Sequence, residues 1–333
     1  MPRELNILFP SVGRRVELIR AFKNAYKTLD IAGEISGTDI DPLAPALQEV
    51  DQAYIMPRLT SSSYILSLLE LCRRRKIGLV LPLIDPEIVV LAKNSRAFHA
   101  IGTRLAVVSE DGAIKTSDKW QTVQFFHKLG LSTPLSWLPG ELDPGKALFP
   151  LFIRPREGSA GQSAYRVNDA TELGFFSKYV SNPIIQEYIS GPEITNDVIC
   201  DLSGNVLSVV SRRRIEVRWG EVAKGVTIHN PVIWESCIRV AGALPAVGPI
   251  TVQCMLKDNL PLFTEINARL GGGAPLAIEA GANFPVWLMA RVLGISINIP
   301  PIGTYDKDIY ISRFDEARYL RNRDLEKLRN HHI

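Results

Sequence analysis

The sequence predicts an α/β and α+β protein in which an open parallel sheet with helices on its faces precedes a unit rich in antiparallel strands. Three observations predict this. Through residue 108, short apolar runs alternate with helical patterns, as in strands joined by crossover helices. From Ser109 the texture changes, and strand-like runs follow one another across tight turns. At 333 residues, the chain exceeds what one ordinary core organises, so two or three packed units are expected.

In the first part "NILFPS" reads as a strand, "VELIRAFKNAYKTL" as a helix and "IAGEISGTDID" as a second strand. "SSSYILSLLELCRRRK" is a helix entered through serine caps, and its basic run suits the helix C-terminus. "GLVLPLI" is a strand and "PEIVVLAKNSRAF" a helix. Then "SEDGAIKTSDKWQTVQFFHKLG" is helical, in one piece or two, closing at Gly130. "LSTPLSWLP" is extended, with Pro134 suited to an edge or strand entry, and "PLFIRPREGSAGQSAYRV" is strand, small-residue loop, strand. A helix "DATELGFFSKYV" and a strand "PIIQEYI" come next, and "LSGN" joins a strand pair from Ile194 to Val217. "RWGEVAKGVTI" is a charged segment leading to a helix at Trp234–Leu244. "ITVQCMLKDNLPLFTEIN" is a hairpin, a last helix starts near Pro275, and the tail from Tyr310 is a strand followed by a helix.

Composition excludes several classes. Hydrophobic content of 46% and charged content of 22% describe a soluble globular protein, and a net charge of +3 gives no argument for nucleic acid. The N-terminus lacks a secretory signal, and no run of about 20 apolar residues suggests a membrane span. The four cysteines form no CxxC pair, which removes the usual zinc patterns and fits a reduced, cytoplasmic compartment.

Ligands of open parallel sheets gather at the carboxyl ends of the strands. "SVGRR" (Ser11–Arg15), Asp39 with Asp41, and "LIDPE" (Leu83–Glu87) fall there. A dinucleotide-binding dehydrogenase would use Gly13 and an acidic ribose contact, but G-x-G-x-x-G is absent. In the second part Arg154 precedes the loop Gly158–Gly161, whose small side chains let backbone N–H groups approach an anion. Glu187, Glu193 and Asp197 surround a tight turn. On the strand "LFTEIN" residues two apart share a face, so Glu265, Asn267 and Arg269 are expected to project together among Leu262, Phe263 and Ile266. Carboxylate and amide oxygens side by side are hard ligands of the kind magnesium shares with phosphates.

Taken in order, Lys119, Arg154, the small-residue loop, the glutamate strand, Gln253 and "TEINARLGGG" resemble the ATP-grasp superfamily, closest to its carbamoyl-phosphate-synthase-like branch and related single-chain amino-acid ligases. The resemblance covers nearly the whole chain and implies a Rossmann-like pre-ATP-grasp domain at 1–108. It further implies an ATP-grasp domain at 109–299, with a small lid lobe about 131–188, and a C-terminal strand-and-helix tail at 300–333. By the same resemblance Lys119 and Arg154 would reach the ATP phosphates, and Gly158, Ser159 and Gly161 would belong to the lid loop. Glu187, Tyr188 and Ile189 would hold adenine, and Glu193 the ribose. Gln253, Glu265 and Asn267 would hold Mg2+, with Mn2+ as an alternative, and Arg269 with Arg213 or Arg214 and Lys224 would neutralise the transferring phosphoryl group. The implied reaction joins small-molecule carboxylate and amine substrates at the cost of ATP, in a homodimer-forming protein. The acceptor would lie between the glycines 271–273 and Ser11, Arg14, Arg15, Asp85 and Glu87. An ATP-binding partner subunit without turnover, or a Rossmann NAD-dependent oxidoreductase, is the alternative.

Overall fold

The computed structural model describes residues 3–158 and 161–330. The chain opens with β1 (Asn6–Phe9), α1 (Val16–Leu29), β2 (Ile35–Asp39), β3 (Gln52–Ile55), α2 (Tyr64–Arg74), β4 (Ile77–Val80), α3 (Asp85–Lys93), α4 (Ser95–Ala100) and β5 (Arg104–Leu105). These strands form a parallel sheet in the order β3-β2-β1-β4-β5. The chain crosses to β2 on one side of β1 and to β4 on the other. The loops after β1 and β4 therefore part, and they open a crevice at the strand ends. Helix α1 spans the segment its periodicity predicts, burying Leu18, Ile19, Phe22 and Ala25. Helix α2 departs from expectation at its start. Ser63 makes no side-chain cap, because its hydroxyl pairs with that of Ser61 at 2.8 Å.

Two helices follow, α5 (Glu110–Ser117) and α6 (Lys119–Lys128). The break is chemical: the Asp118 carboxylate accepts the Trp120 and Gln121 N–H groups and starts a new helix, with Lys119 in its first turn. A small antiparallel sheet comes next, from β6 (Ser136–Trp137), β7 (Leu151–Pro155), β8 (Tyr165–Val167), α7 (Ala170–Tyr179) and β9 (Pro183–Glu187), ordered β6-β9-β7-β8. It has its own core of Leu151, Ile153, Val167, Leu173, Val180 and Ile185.

The remainder builds a six-stranded antiparallel sheet from β10 (Glu193–Cys200), β11 (Val206–Arg218), β12 (Glu221–Ile228), β13 (Pro249–Lys257), β14 (Leu260–Asn267) and β15 (Tyr310–Ser312), ordered β14-β13-β10-β11-β12-β15. Helix α8 (Pro231–Ala243) packs on β10 and β11. Helices α9 (Ala274–Glu279) and α10 (Phe284–Leu293) pack on α1, and α11 (Asn322–Asn330) lies against β3. The segment "RWGEVAKGVTI" contains a full strand, β12, which its charge conceals. Lys224 faces solvent and two bulges opposite β11 break the simple alternation. One core carries Phe126 against Phe263 at 5.5 Å and joins the first sheet's helices to the large sheet. A second joins α1 to α9 and α10. All four cysteines are buried and free. Among the described residues, no helix is long and apolar enough to cross a membrane.

Candidate active site

A cavity of about 600 Å³ lies between the strand ends of the first sheet, the small sheet and one face of the large sheet. On its floor the register pairs Gln253 with Glu265 and Thr251 with Asn267. Asn267 Nδ2 donates to Glu265 Oε1 and Gln253 Oε1, both at 3.1 Å, which gathers the three side chains. Arg269 lies past the end of β14, so it departs from the Glu265–Asn267 line while still facing the cavity. Its guanidinium pairs with Asp85 at 2.5 Å and donates to the Leu270 carbonyl.

One carboxylate and two amides suit a hard divalent cation that completes its shell with phosphate and water. Among the described residues, no cluster of three or more His, Cys, Asp or Glu forms an all-protein metal cage. Burial pushes the Glu265 carboxyl up, but the charges of Arg154 and Lys119, the Asn267 bond and Arg269 hold it below the ordinary range. It is therefore an anion, as a metal ligand must be.

Arg154 reaches from β7 to the large sheet, donating to Gln186 at 3.1 Å, Glu265 at 3.0 Å and the Thr264 carbonyl at 3.3 Å. Buried Lys119 lies off the cavity wall and donates to the Gly158 carbonyl at 2.7 Å, tethering the root of the small-residue loop. Its burial lowers its pKa, against the opposing pull of Glu265. Gly158 and Gly161 adopt φ of 109° and 67°, open to glycine and strained for other residues. Gly161 lines the cavity, and Ser159 lies outside the described residues.

Glu187, Tyr188 and Ile189 line the same cavity, as do Met255 and Pro134. Glu187 pairs with Lys257, and Tyr188 stacks under Arg166 at 4.7 Å. Glu193 accepts from Arg214 at 2.6 Å and from Gln253.

The structure separates the three consecutive arginines. Strand alternation turns Arg212 and Arg214 to the cavity and leaves Arg213 exposed, off its wall. Lys224 is likewise off the wall, half-exposed and paired with Glu216 at 2.7 Å. Arg212, which the sequence did not single out, forms a buried two-pronged pair with Asp197 at 2.6 and 3.1 Å. Its guanidinium fills the space where a Cβ at Gly271 or Gly273 would stand, so a side chain at either position would push it from Asp197. Arg15 pairs with Glu221 on the cavity wall, and Arg313 from the tail also holds Glu221 and donates to the Gly272 carbonyl at 2.5 Å. Long-range pairs of this kind have no local sequence signal.

Of the other residues placed near the acceptor, Asp85 lines the cavity, while Ser11 donates to buried Glu87 behind it. Asp39 accepts the Gly13 N–H at 2.8 Å and the Asp41 N–H at 3.0 Å, so the acid suited to a dinucleotide ribose is spent on its own loop.

Two family models match this chain. One, described as the PylC-like N-terminal domain, matches residues 7–106. The other, described as ATP-grasp in the biosynthetic pathway with Ter operon, matches residues 180–312 and so spans Glu187, Glu193, Gln253, Glu265, Asn267 and Arg269. The chain carries an ATP-grasp domain at 180–312. It is 29% identical over 116 residues to a D-alanine–D-alanine ligase of Fusobacterium nucleatum, a match covering 34% of the chain and 39% of the ligase. It is 23% identical over 155 residues to a carbamoyl-phosphate synthase of Methanobrevibacter smithii, covering 45% and 41%. The matches thus span about two fifths of these relatives' lengths. Among solved structures, the biotin carboxylase domain of Hydrogenobacter thermophilus 2-oxoglutarate carboxylase, a dimer with MgADP, ADP and bicarbonate, superposes with a TM-score of 0.72 at 15% identity, covering 92% of this chain and 73% of that one. The L-amino acid ligase from Bacillus licheniformis gives 0.67 at 20% identity, covering 88% and 75%. At these identities the likeness is one of ATP-grasp fold.

Proposed function

We propose that the protein is an ATP-dependent, carbon–nitrogen bond-forming ligase of the carbamoyl-phosphate-synthase-like kind, activating a small carboxylate for attack by an amine. The observation that carries this reading is the Gln253–Glu265–Asn267 oxygen cluster facing Arg154 and Arg269 across one cavity. A carboxylate oxygen bonds to the γ-phosphorus as the bond to the β–γ bridging oxygen breaks, releasing ADP. The amine then bonds to the acyl carbon, phosphate leaves with the electron pair, and the amine proton passes to phosphate or solvent.

Within this reading the small sheet, at about 131–188, is the lid. Arg154 orients the phosphates, Lys119 holds the loop root that meets them, and Glu187 with the 188–189 backbone and Glu193 takes the nucleoside. Glu265, Asn267 and Gln253 would hold Mg2+, which would supply positive charge to the phosphates. Arg269 with Arg212 and Arg214 compensates charge on the transferring group, work that is mostly positioning and electrostatics. The two-part comparison supports this reading, as do relatives named as ligases and neighbours solved with ADP. The test is ADP release in the presence of Mg-ATP, a carboxylate and an amine. Turnover that needs both substrates and falls by about a thousandfold in Glu265→Gln is expected, on the scale of removing one transition-state contact. Turnover indifferent to that change refutes the assignment.

A further inference from the structure

The turn between β11 and β12 carries a residue its backbone does not favour. Arg218 pairs with Glu221, leaving a two-residue turn in which Trp219 has φ 50° and Gly220 φ 79°. Both central residues are left-handed, the geometry that selects Asn-Gly, so an indole at the first position is strained. Core packing does not explain it, because Trp219 is 75% exposed. It lines the cavity instead, as do Val217 and Val222 from the same hairpin and Leu83 and Ile84 from the loop after β4. From outside, the Arg14 guanidinium packs over the indole at 4.8 Å. Next to it Arg15 pairs with Glu221, so the hairpin tip is tied at two points to the loop after β1.

We propose that Trp219 is a specificity wall for the carboxylate substrate, and that this substrate bears an apolar body and is not bicarbonate. The proposal rests on the ligase reading of the cavity. Arg269 and Arg15 supply charge for the carboxylate end, while Val217, Trp219, Val222, Leu83 and Ile84 supply apolar surface around what is attached to it. Bicarbonate has only oxygens to satisfy and gains nothing from such a wall. An aliphatic or aromatic side group gains by removing both surfaces from water. Arg14 acts through the indole and is a positioning residue.

The experiment measures acyl hydroxamate and ADP formed from Mg-ATP and hydroxylamine with L-leucine, L-phenylalanine, L-valine or bicarbonate. The expected result is turnover with apolar amino acids and none with bicarbonate. Trp219→Ala should raise KM for those acids about tenfold while kcat changes little, the scale of a lost apolar contact. Trp219→Phe should restore KM to within about threefold of the wild type, a rescue expected of an aromatic contact. Bicarbonate as the better substrate, a KM indifferent to Trp219→Ala, or no turnover with any of these acids while Mg-ATP still binds overturns the proposal and leaves the nucleotide site standing. Loss of Mg-ATP binding itself is a failure of the ligase reading, and calorimetry reads it separately.

Discussion

Arg154 on the small sheet donates to Glu265 on the large sheet at 3.0 Å, so the cation suited to phosphate and the carboxylate suited to metal hold one another. The same pairing recurs around the cavity, in Arg214 with Glu193 and Arg269 with Asp85. Each binding group in this partly buried place thereby holds a partner that must be exchanged on binding.

This makes an opposed prediction for one substitution. Arg154→Ala frees the Glu265 carboxylate, so Mn2+ affinity without nucleotide should rise several-fold by paramagnetic titration. Mg-ATP affinity should fall tenfold or more, the loss of about 1.4 kcal/mol. If both affinities fall together, Arg154 and the metal do not compete for Glu265.

The Arg212–Asp197 pair is structural before it is catalytic. Its side chains are 4% and 2% exposed. Arg212→Ala would leave a buried, uncompensated carboxylate and should destabilise the fold by about 3–5 kcal/mol in denaturant titration. Arg212→Met combined with Asp197→Leu should recover much of that loss. A single variant as stable as the wild type would mean that water reaches Asp197.

The buried Glu87 carboxyl predicts a pH dependence. Burial raises its pKa to about 7 from the ordinary 4.5, against the Ser11 and Tyr64 hydrogen bonds and with the help of Asp39. Between those values the folded protein keeps a proton that the unfolded chain has lost. Stability is therefore full below the ordinary value and falls as pH rises through about 7, by about 3 kcal/mol. Glu87→Gln should abolish this slope, measured as unfolding free energy between pH 4.5 and 8. An unchanged slope would show that Glu87 is ionised in the fold.

Much of the fold was legible because local rules acted alone. The apolar spacing of Val16–Leu29 marks α1, whereas the helical stretch that allows one piece or two is divided in the structure by the Asp118 cap. Strand β12 was not, because Lys224 and Glu221 answer to partners on β11 and on the first sheet's loop, which no window of sequence contains. The oxygen cluster was legible because Glu265 and Asn267 sit two apart on one strand. Arg212 was not distinguishable from Arg213 until strand phase fixed which of them faces Asp197. Arg313 and Trp219 join the site only through the tertiary fold.

The most direct test of the central claim is calorimetric titration of Mg-ATP into the wild type and Glu265→Ala. Micromolar binding that depends on magnesium in the wild type, and that loses this dependence in the variant, is the predicted result. Equal binding by both proteins, with equal magnesium dependence, would place the nucleotide away from β14 and contradict the account.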